Sequence, residues 1–239
     1  MSWPPNVLMI QHQAECPPAR FGSWLGEAGV ALTLWTPDLP MPELSCVDGL
    51  VILGGVMGAT DDQDAPWLPL VRQTIRQAAG HGLPTLGICL GHQLAAVALG
   101  GRVQRNPHGK QRGVTPIGWT DGAHLDPLFS PAAPSRGVHS NNDVVLDLPK
   151  SAVVLARAPG GEVQAVRFAA TVWGVQWHPE VDQATFLGWT RMEPPEDPAD
   201  AAALLADVAG AREELDATWS PLALRFAGLS AAYHRRRHP

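Results

Sequence analysis

The sequence predicts an α/β fold: a central, mostly parallel sheet flanked by helices, with added short antiparallel strands and a C-terminal helical extension. Three observations carry this. Between residues 6 and 99, apolar runs of strand length alternate with segments of helical periodicity, the pattern of right-handed crossovers and a parallel sheet. After Gly101 the pattern changes to a succession of short strand-like pieces, which read as hairpins and edge strands. From Ala199 to Tyr233 the chain reads as helical.

Asn6 to Ile10 is a first buried strand. Phe21, Trp24, Leu25 and Ala28 follow at helical spacing, with Gly29 as a C-terminal cap. Val30 to Leu34 is a second strand. Gly49 to Leu53 is a third, ended by Gly54-Gly55. Pro66 opens an amphipathic helix to about Ala79, with Leu70, Val71, Thr74, Ile75 and Ala78 on one side. Pro84 to Ile88 is the fourth strand, and a helix over Gln93 to Leu99 is stopped by Gly100-Gly101. The later pieces are Arg102–Arg105, Gly113–Trp119, Gly137–His139, Val144–Leu146, Val153–Ala158, Val163–Phe168 and Val172–Gln176. A helix is expected over Val181 to Trp189, then a Pro- and Glu-rich linker from Glu193 to Pro198. The terminal helical segment is expected to break at Gly210, near Ser220-Pro221 and at Gly228. This divides the chain into a domain over residues 1–192 and a linker with helical extension over 193–239 packing on it.

The chain has 239 residues, 45% hydrophobic and 17% charged, enough for a full core. A net charge of −6 argues against a nucleic-acid surface, and Arg235-Arg236-Arg237 reads as a solvated helix end. No apolar run reaches membrane-span length and no secretory leader is evident. Three cysteines, Cys16, Cys46 and Cys89, share no metal-like spacing, so a reducing, cytoplasmic location is expected. His108, His124, His139 and His178 do not pair at ligand spacing, so no metal is expected, nor any cofactor.

Chemistry is concentrated in two motifs. In Gly87-Ile88-Cys89-Leu90-Gly91, a strand ends at a cysteine bracketed by glycines and a helix follows. This is a nucleophile elbow with Cys in place of Ser, the glycines giving room for a strained turn and close chain passage. A thiol there meets the positive end of the helix dipole, and the Leu90 N–H points where an oxyanion forms. In Gln176-Trp177-His178-Pro179-Glu180, His178 and Glu180 are two apart and face the same way on extended backbone, a base with its orienting carboxylate. The Gly54-Gly55-Val56-Met57-Gly58 loop offers further backbone donors.

Together these motifs resemble the class I glutamine amidotransferases over about residues 6–190, closest to stand-alone members similar to the glutaminase domain of GMP synthase. His12-Gln13 and the stretch from Asp61 through Pro66-Trp67-Leu68 look like that subgroup. The resemblance implies that family's flavodoxin-like sheet and a Cys89–His178–Glu180 triad. It implies an oxyanion hole from Gly55 and Leu90, and substrate contacts from Val56, Met57, Gln93, His139 and Ser140. Two departures stand out. The loop reads Gly54-Gly55-Val56 where the family often has Gly-Gly-Pro. The head-group region reads His139-Ser140-Asn141-Asn142-Asp143 where a His-Gly-Asp is common.

Three functions follow as expectations. The first is hydrolysis of the glutamine side-chain amide, with ammonia passed to a separate synthase partner. No pyrophosphatase loop or phosphate-binding loop for activating an acceptor is present in the sequence. The second is a stand-alone γ-glutamyl amide or peptide hydrolase. The third is a non-catalytic regulatory or binding module, which the intact triad disfavours.

Overall fold

The computed structural model describes residues 3–129 and 135–238; residues 1–2, 130–134 and 239 lie outside the described residues. The first half builds a parallel sheet from β1 (Asn6–Ile10), β2 (Ala31–Trp35), β3 (Gly49–Ile52) and β4 (Thr85–Ile88). These are linked through α1 (Ala19–Glu27) and α2 (Leu68–His81), and α3 (Leu90–Ala98) follows β4. Then come β5 (Arg102–Arg105), β6 (Gln111–Trp119), the short α4 (Asp121–His124), β7 (Ser135–Asn141), β8 (Asp143–Asp147), β9 (Val153–Arg157), β10 (Val163–Ala169) and β11 (Val172–Val175). Helices α5 (Gln183–Met192), α6 (Pro198–Gly210) and α7 (Arg212–Arg237) complete the chain.

The main sheet has nine strands in the order β2-β1-β3-β4-β11-β10-β9-β6-β7. From β2 to β11 neighbours run parallel; from β11 to β7 they run antiparallel. Two expectations are corrected here. Val172–Val175 forms the expected hairpin with β10 but is a central strand and not an edge one, lying parallel to β4 in the register Val175↔Ile88. Strand order is set by which apolar faces meet, and the run Val172-Trp173-Gly174-Val175, buried throughout, suits a strand covered on both faces. Arg102–Arg105 and Asp143–Asp147 leave the main sheet and pair with each other as a two-stranded ribbon.

Alternation along the parallel strands sorts the core into two layers. Val7, Met9, Val51, Leu86 and Ile88 face α1 and α7, packing with Phe21, Leu25 and Phe226. Leu8, Ile10, Leu50 and Ile52 face α2 and α3, packing with Val71, Ile75, Leu90 and Leu94. Such two-faced burial is why these strands read as unbroken apolar runs.

Helix α2 begins at Leu68 with Trp67 as its N-cap residue, so Pro66 precedes it and Pro69 occupies the first turn. Its buried stripe is Leu68, Val71, Thr74, Ile75 and Ala78, while Leu70 lies past the stripe's edge and is exposed. Helix α3 starts three residues before the expected Gln93, directly after Cys89.

The tail breaks near Gly210, as expected, but α7 then runs unbroken through Pro221 and Gly228. A proline inside a helix costs about 3 kcal/mol. Burial of Trp219, Leu222, Ala223 and Phe226 on both sides of Pro221 offsets that cost. At its far end Arg237 donates to the carbonyls of Val47 and Ser45, and His234 Nδ1 lies 2.9 Å from Asp48 Oδ2. Among the described residues, no helix is long and apolar enough to cross a membrane.

Candidate functional site

The site sits at the C-terminal ends of three neighbouring strands, β3, β4 and β11, where open α/β sheets collect reactive groups. The chain leaves β4 at Cys89, which has φ 51° and ψ −103° and immediately precedes α3. Only Ala19 shares positive φ among the described non-glycine residues. The Cys89 N–H donates to Val175 O at 2.8 Å, pinning the elbow to β11. The bracketing glycines answer a space requirement. A methyl on Gly87 would overlap the Gly91 carbonyl, and one on Gly91 the Ile52 carbonyl. Both backbones therefore approach as only glycine permits.

His178 follows β11, and its N–H donates to Val138 O at 2.7 Å. Its Nδ1 lies 2.6 Å from Glu180 Oε1, both side chains being almost fully buried. Cys89 lies close enough to the imidazole for its sulfur to favour the charged ring. The Trp189 ring packs edge-on against the imidazole, centroids 4.5 Å apart. Burial works against the charged imidazole, but the Glu180 carboxylate and the Cys89 sulfur outweigh it and raise His178 to about 10. The ring therefore holds its proton more tightly than an ordinary imidazole does.

The glycine loop closes over this pair. A Cβ built on Gly54 would lie 2.8 Å from His178 Cε1 and 3.7 Å from Cys89 Cβ. One built on Gly55 would lie 2.6 Å from Met57 Sδ and 2.8 Å from Leu90 Cδ2, so the loop packs directly on those two side chains. The loop is held by side chains. Asp61 Oδ2 accepts the Gly58 N–H at 2.7 Å, and Gln13 Oε1 accepts the Val56 N–H at 3.1 Å. Trp67 Nε1 donates to His12 Nδ1 at 3.1 Å, and burial keeps His12 neutral by lowering it to about 4. The resemblance in His12-Gln13 and Asp61–Leu68 thus falls on residues that support this loop.

A cleft of about 680 Å³ opens beside Cys89 and His178; Val56, Met57, Gln93 and Ser140 line it. His139 does not. It is fully buried on the opposite face of β7, with Nδ1 2.7 Å from Thr115 Oγ1 and Nε2 3.5 Å from Gln164 Nε2. The two-residue period of a strand sends Ser140 to the cleft and His139 away from it, which corrects the expected His139 contact. Gln93 Nε2 donates to Asp143 O at 3.0 Å and to Gln176 Oε1 at 3.2 Å. Gln176 Nε2 in turn points at Cys89 Sγ, 3.6 Å away. Sequence reasoning places Gln176 in the second motif but gives it no role; its position two before His178 was the available signal. His92, in the elbow motif, is a packing residue: burial holds it near 3, neutral, beneath Gly174.

Sequence reasoning also missed Cys16, which no motif marks. It lines the same cleft, and burial together with Glu180 and Cys89 pushes its thiol well up, so it stays protonated. For a metal, the described residues offer Asp48, His234 and His238, whose ligand atoms lie within 4.8 Å of one another. There Asp48 already accepts from Asn6 N, lies against His234 and has Arg237 beside it. The group sits at the opposite end of β3 from Cys89, so it has no part in the cleft.

Known proteins share both the sequence and the fold. The family described as glutamine amidotransferase class-I matches residues 23–187. GMP synthase [glutamine-hydrolyzing] of Aeropyrum pernix is 41% identical over 139 residues, covering 56% of this chain but only 24% of that longer protein. A GMP synthase [glutamine-hydrolyzing] subunit of Sulfolobus acidocaldarius is 34% identical over 160 residues, covering 66% of this chain and 79% of the relative. Gamma-glutamyl peptidase 5 of Arabidopsis thaliana is 30% identical over 144 residues, 59% of this chain and 57% of that one. A solved glutamine amidotransferase from Thermotoga maritima shares the fold, with a TM-score of 0.84 at 23% identity over 93% of this chain and 98% of that one. A match of this extent, on a sheet that carries its cysteine elbow beside a buried His–Glu pair, makes the chain a member of the class-I glutamine amidotransferase family.

Proposed function

We propose that this protein is a cysteine-dependent amidohydrolase that releases ammonia from the side chain of glutamine, with Cys89, His178 and Glu180 as its triad. The observation that carries this reading is the buried His178–Glu180 pair beside the Cys89 elbow. Glu180 lies 2.6 Å from His178 Nδ1, and a Cβ built on Gly54 would stand 2.8 Å from His178 Cε1 and 3.7 Å from Cys89 Cβ, so ring and thiol share one place. The Cys89 thiolate attacks the amide carbon, and the Gly55 and Leu90 N–H groups hold the tetrahedral oxyanion. His178 gives its proton to the departing nitrogen as the C–N bond breaks, leaving a γ-glutamyl thioester. Water, deprotonated by His178, then attacks the thioester carbon. The C–S bond breaks, glutamate leaves, and the thiolate–imidazolium pair is restored.

Glu180 keeps the imidazole oriented and charged. Gln176 and Gln93 fix the thiol and the β8 backbone, and Met57, Val56 and Ser140 contact the substrate. Residues 1–192 form the amidotransferase domain, and 193–239 the linker and helical extension packed on it. The likeness to the Sulfolobus GMP synthase subunit supports a separate synthase as acceptor of the ammonia.

A second reading keeps the chemistry and enlarges the substrate. The relative named gamma-glutamyl peptidase 5 and a cleft of about 680 Å³, larger than one amino acid fills, favour a γ-glutamyl amide or peptide. The test is glutamate release by the purified chain from L-glutamine and, in parallel, from a γ-glutamyl peptide, with Cys89→Ala as control. Release from glutamine abolished by the substitution supports the first reading, and preference for the peptide the second. Release that survives Cys89→Ala overturns both.

A further inference from the structure

We infer that the C-terminal helix α7 is the element that positions His178 and Glu180, with Asp216 as a positioning residue acting through Arg20. The inference rests on the triad proposed above and concerns a helix beyond the matched family region, which ends at residue 187.

Two chains of contact run from α7 to the segment that carries His178 and Glu180. The first passes through α1. Asp216 grips the Arg20 guanidinium at both oxygens, Nε to Oδ1 at 3.1 Å and Nη2 to Oδ2 at 2.5 Å. Arg212, one turn earlier on α7, donates to the same Asp216 Oδ2 at 3.0 Å. The Arg20 backbone N–H donates to the Glu180 carbonyl at 2.9 Å. The second runs through Trp219. Its indole packs on Trp177, centroids 5.0 Å apart, and its Nε1 donates to Arg136 O at 3.1 Å. Arg136 is on β7, two residues before Val138, whose carbonyl accepts the His178 N–H. Arg136 is itself held by Glu214 of α7 through two bonds of 3.0 and 2.5 Å. The Trp177–Glu180 segment is thus held from both sides by one helix.

Backbone strain marks the same place. Ala19 has φ 37°, a conformation that disfavours a side chain, and it is the residue before Arg20. Strain of this kind persists where the surroundings over-determine it. Here the Arg20 N–H is fixed by Glu180 and the Arg20 side chain by Asp216. Releasing the side chain lets Ala19 relax, and the backbone bond to Glu180 loosens with it. A shift of the carboxylate against a 2.6 Å hydrogen bond then reaches the imidazolium directly.

The test compares Asp216→Asn, which keeps the shape and removes the charge, with Asp216→Glu, which restores it. Three quantities are read: kcat and KM for glutamate release, the thermal midpoint, and the pH profile of Cys89 alkylation by iodoacetamide. Alkylation needs no substrate. If the wild-type chain releases no glutamate, the proposed function fails while the coupling remains measurable. The titratable groups facing His178 are Glu180, Cys89 and His139, with Cys16 beside Glu180 and Cys89, and none of them is altered by these substitutions. For Asp216→Asn the expected result is a kcat lower by about tenfold with KM nearly unchanged. The alkylation profile is displaced by more than about half a pH unit, and Asp216→Glu recovers most of both losses. Where Asp216→Asn does not fold, Arg20→Lys carries the test by the same criteria, because it keeps charge and backbone but not the two-pronged grip. A lower thermal midpoint with kcat and the alkylation profile unchanged overturns the inference and leaves α7 as a cover for the core.

Discussion

Substituting Gly54 by alanine isolates the contact on which the geometry of the site depends. Gly54 is not among the positive-φ glycines, so alanine meets no backbone penalty there and the only question is space. The new methyl would stand 2.8 Å from His178 Cε1. Carbon atoms prefer about 3.5–4.0 Å, so the ring must withdraw by roughly 0.7 Å or the loop must lift by as much. The ring has little room to do so. Trp189 packs on it at 4.5 Å, and its Nδ1 is tied to Glu180 at 2.6 Å. Overpacking of this kind costs about 1–3 kcal/mol of stability. Displacing a reacting group by close to an ångström costs about 100-fold in rate. The expected result is a folded protein with kcat/KM for glutamate release down by about two orders of magnitude. Thermal melting of the same sample separates that loss from unfolding. A Gly54→Ala protein that melts normally and retains more than half of wild-type kcat would refute the placement of His178 beneath the glycine loop.

Three further outcomes are expected. Stability has a maximum near pH 6.5. Below it, His12, His92 and His139 are held neutral by burial, at about 4, 3 and 4, so the unfolded chain binds more protons. Stability then falls with acid by up to about 4 kcal/mol per pH unit. Above it, His178, raised to about 10, retains a proton that the unfolded chain has lost. Its contribution is complete below pH 6.5 and is lost as pH rises towards 10, which urea midpoints between pH 4 and 10 would trace. Asp61→Ala removes the acceptor of the Gly58 N–H and loosens the glycine loop, so KM for glutamine rises several-fold in steady-state assays while the Cys89 alkylation rate holds. Gly228→Ala fills open space in α7, has no neighbour within 4 Å and raises stability by about 0.5–1 kcal/mol in denaturant melts with activity unchanged.

Much of this was legible in the sequence because it is local. Buried parallel strands read as apolar runs, and a strand that ends in Gly54-Gly55 or Cys89 announces where its loop begins. The His178–Glu180 contact forms as the motif suggests, but through a turn at Pro179-Glu180 and not on the extended backbone expected from the sequence. What was not legible depends on distant partners. That β11 lies beside β4, and not at an edge, follows from which faces bury together. The persistence of α7 through Pro221 follows from the burial of Trp219 and Phe226, which no local propensity records. His139 and Ser140 could not be told apart without knowing which face of β7 meets the cleft. Gln176 lay in a recognised motif, but its reach to Cys89 required both strand ends to be in place.

The central claim is that Cys89 is the nucleophile. It is tested most directly with a glutamine analogue that carries an electrophilic carbon in place of the side-chain amide, followed by peptide mapping. The chain's three cysteines make the outcome specific, since Cys16 shares the cleft and Cys46 is exposed. The expected result is one label per chain, on Cys89, formed at a rate that glutamine slows by competition and that His178→Ala sharply reduces. Labelling of Cys16 or Cys46 with Cys89 untouched, or glutamine turnover that continues after Cys89 is fully labelled, would contradict it.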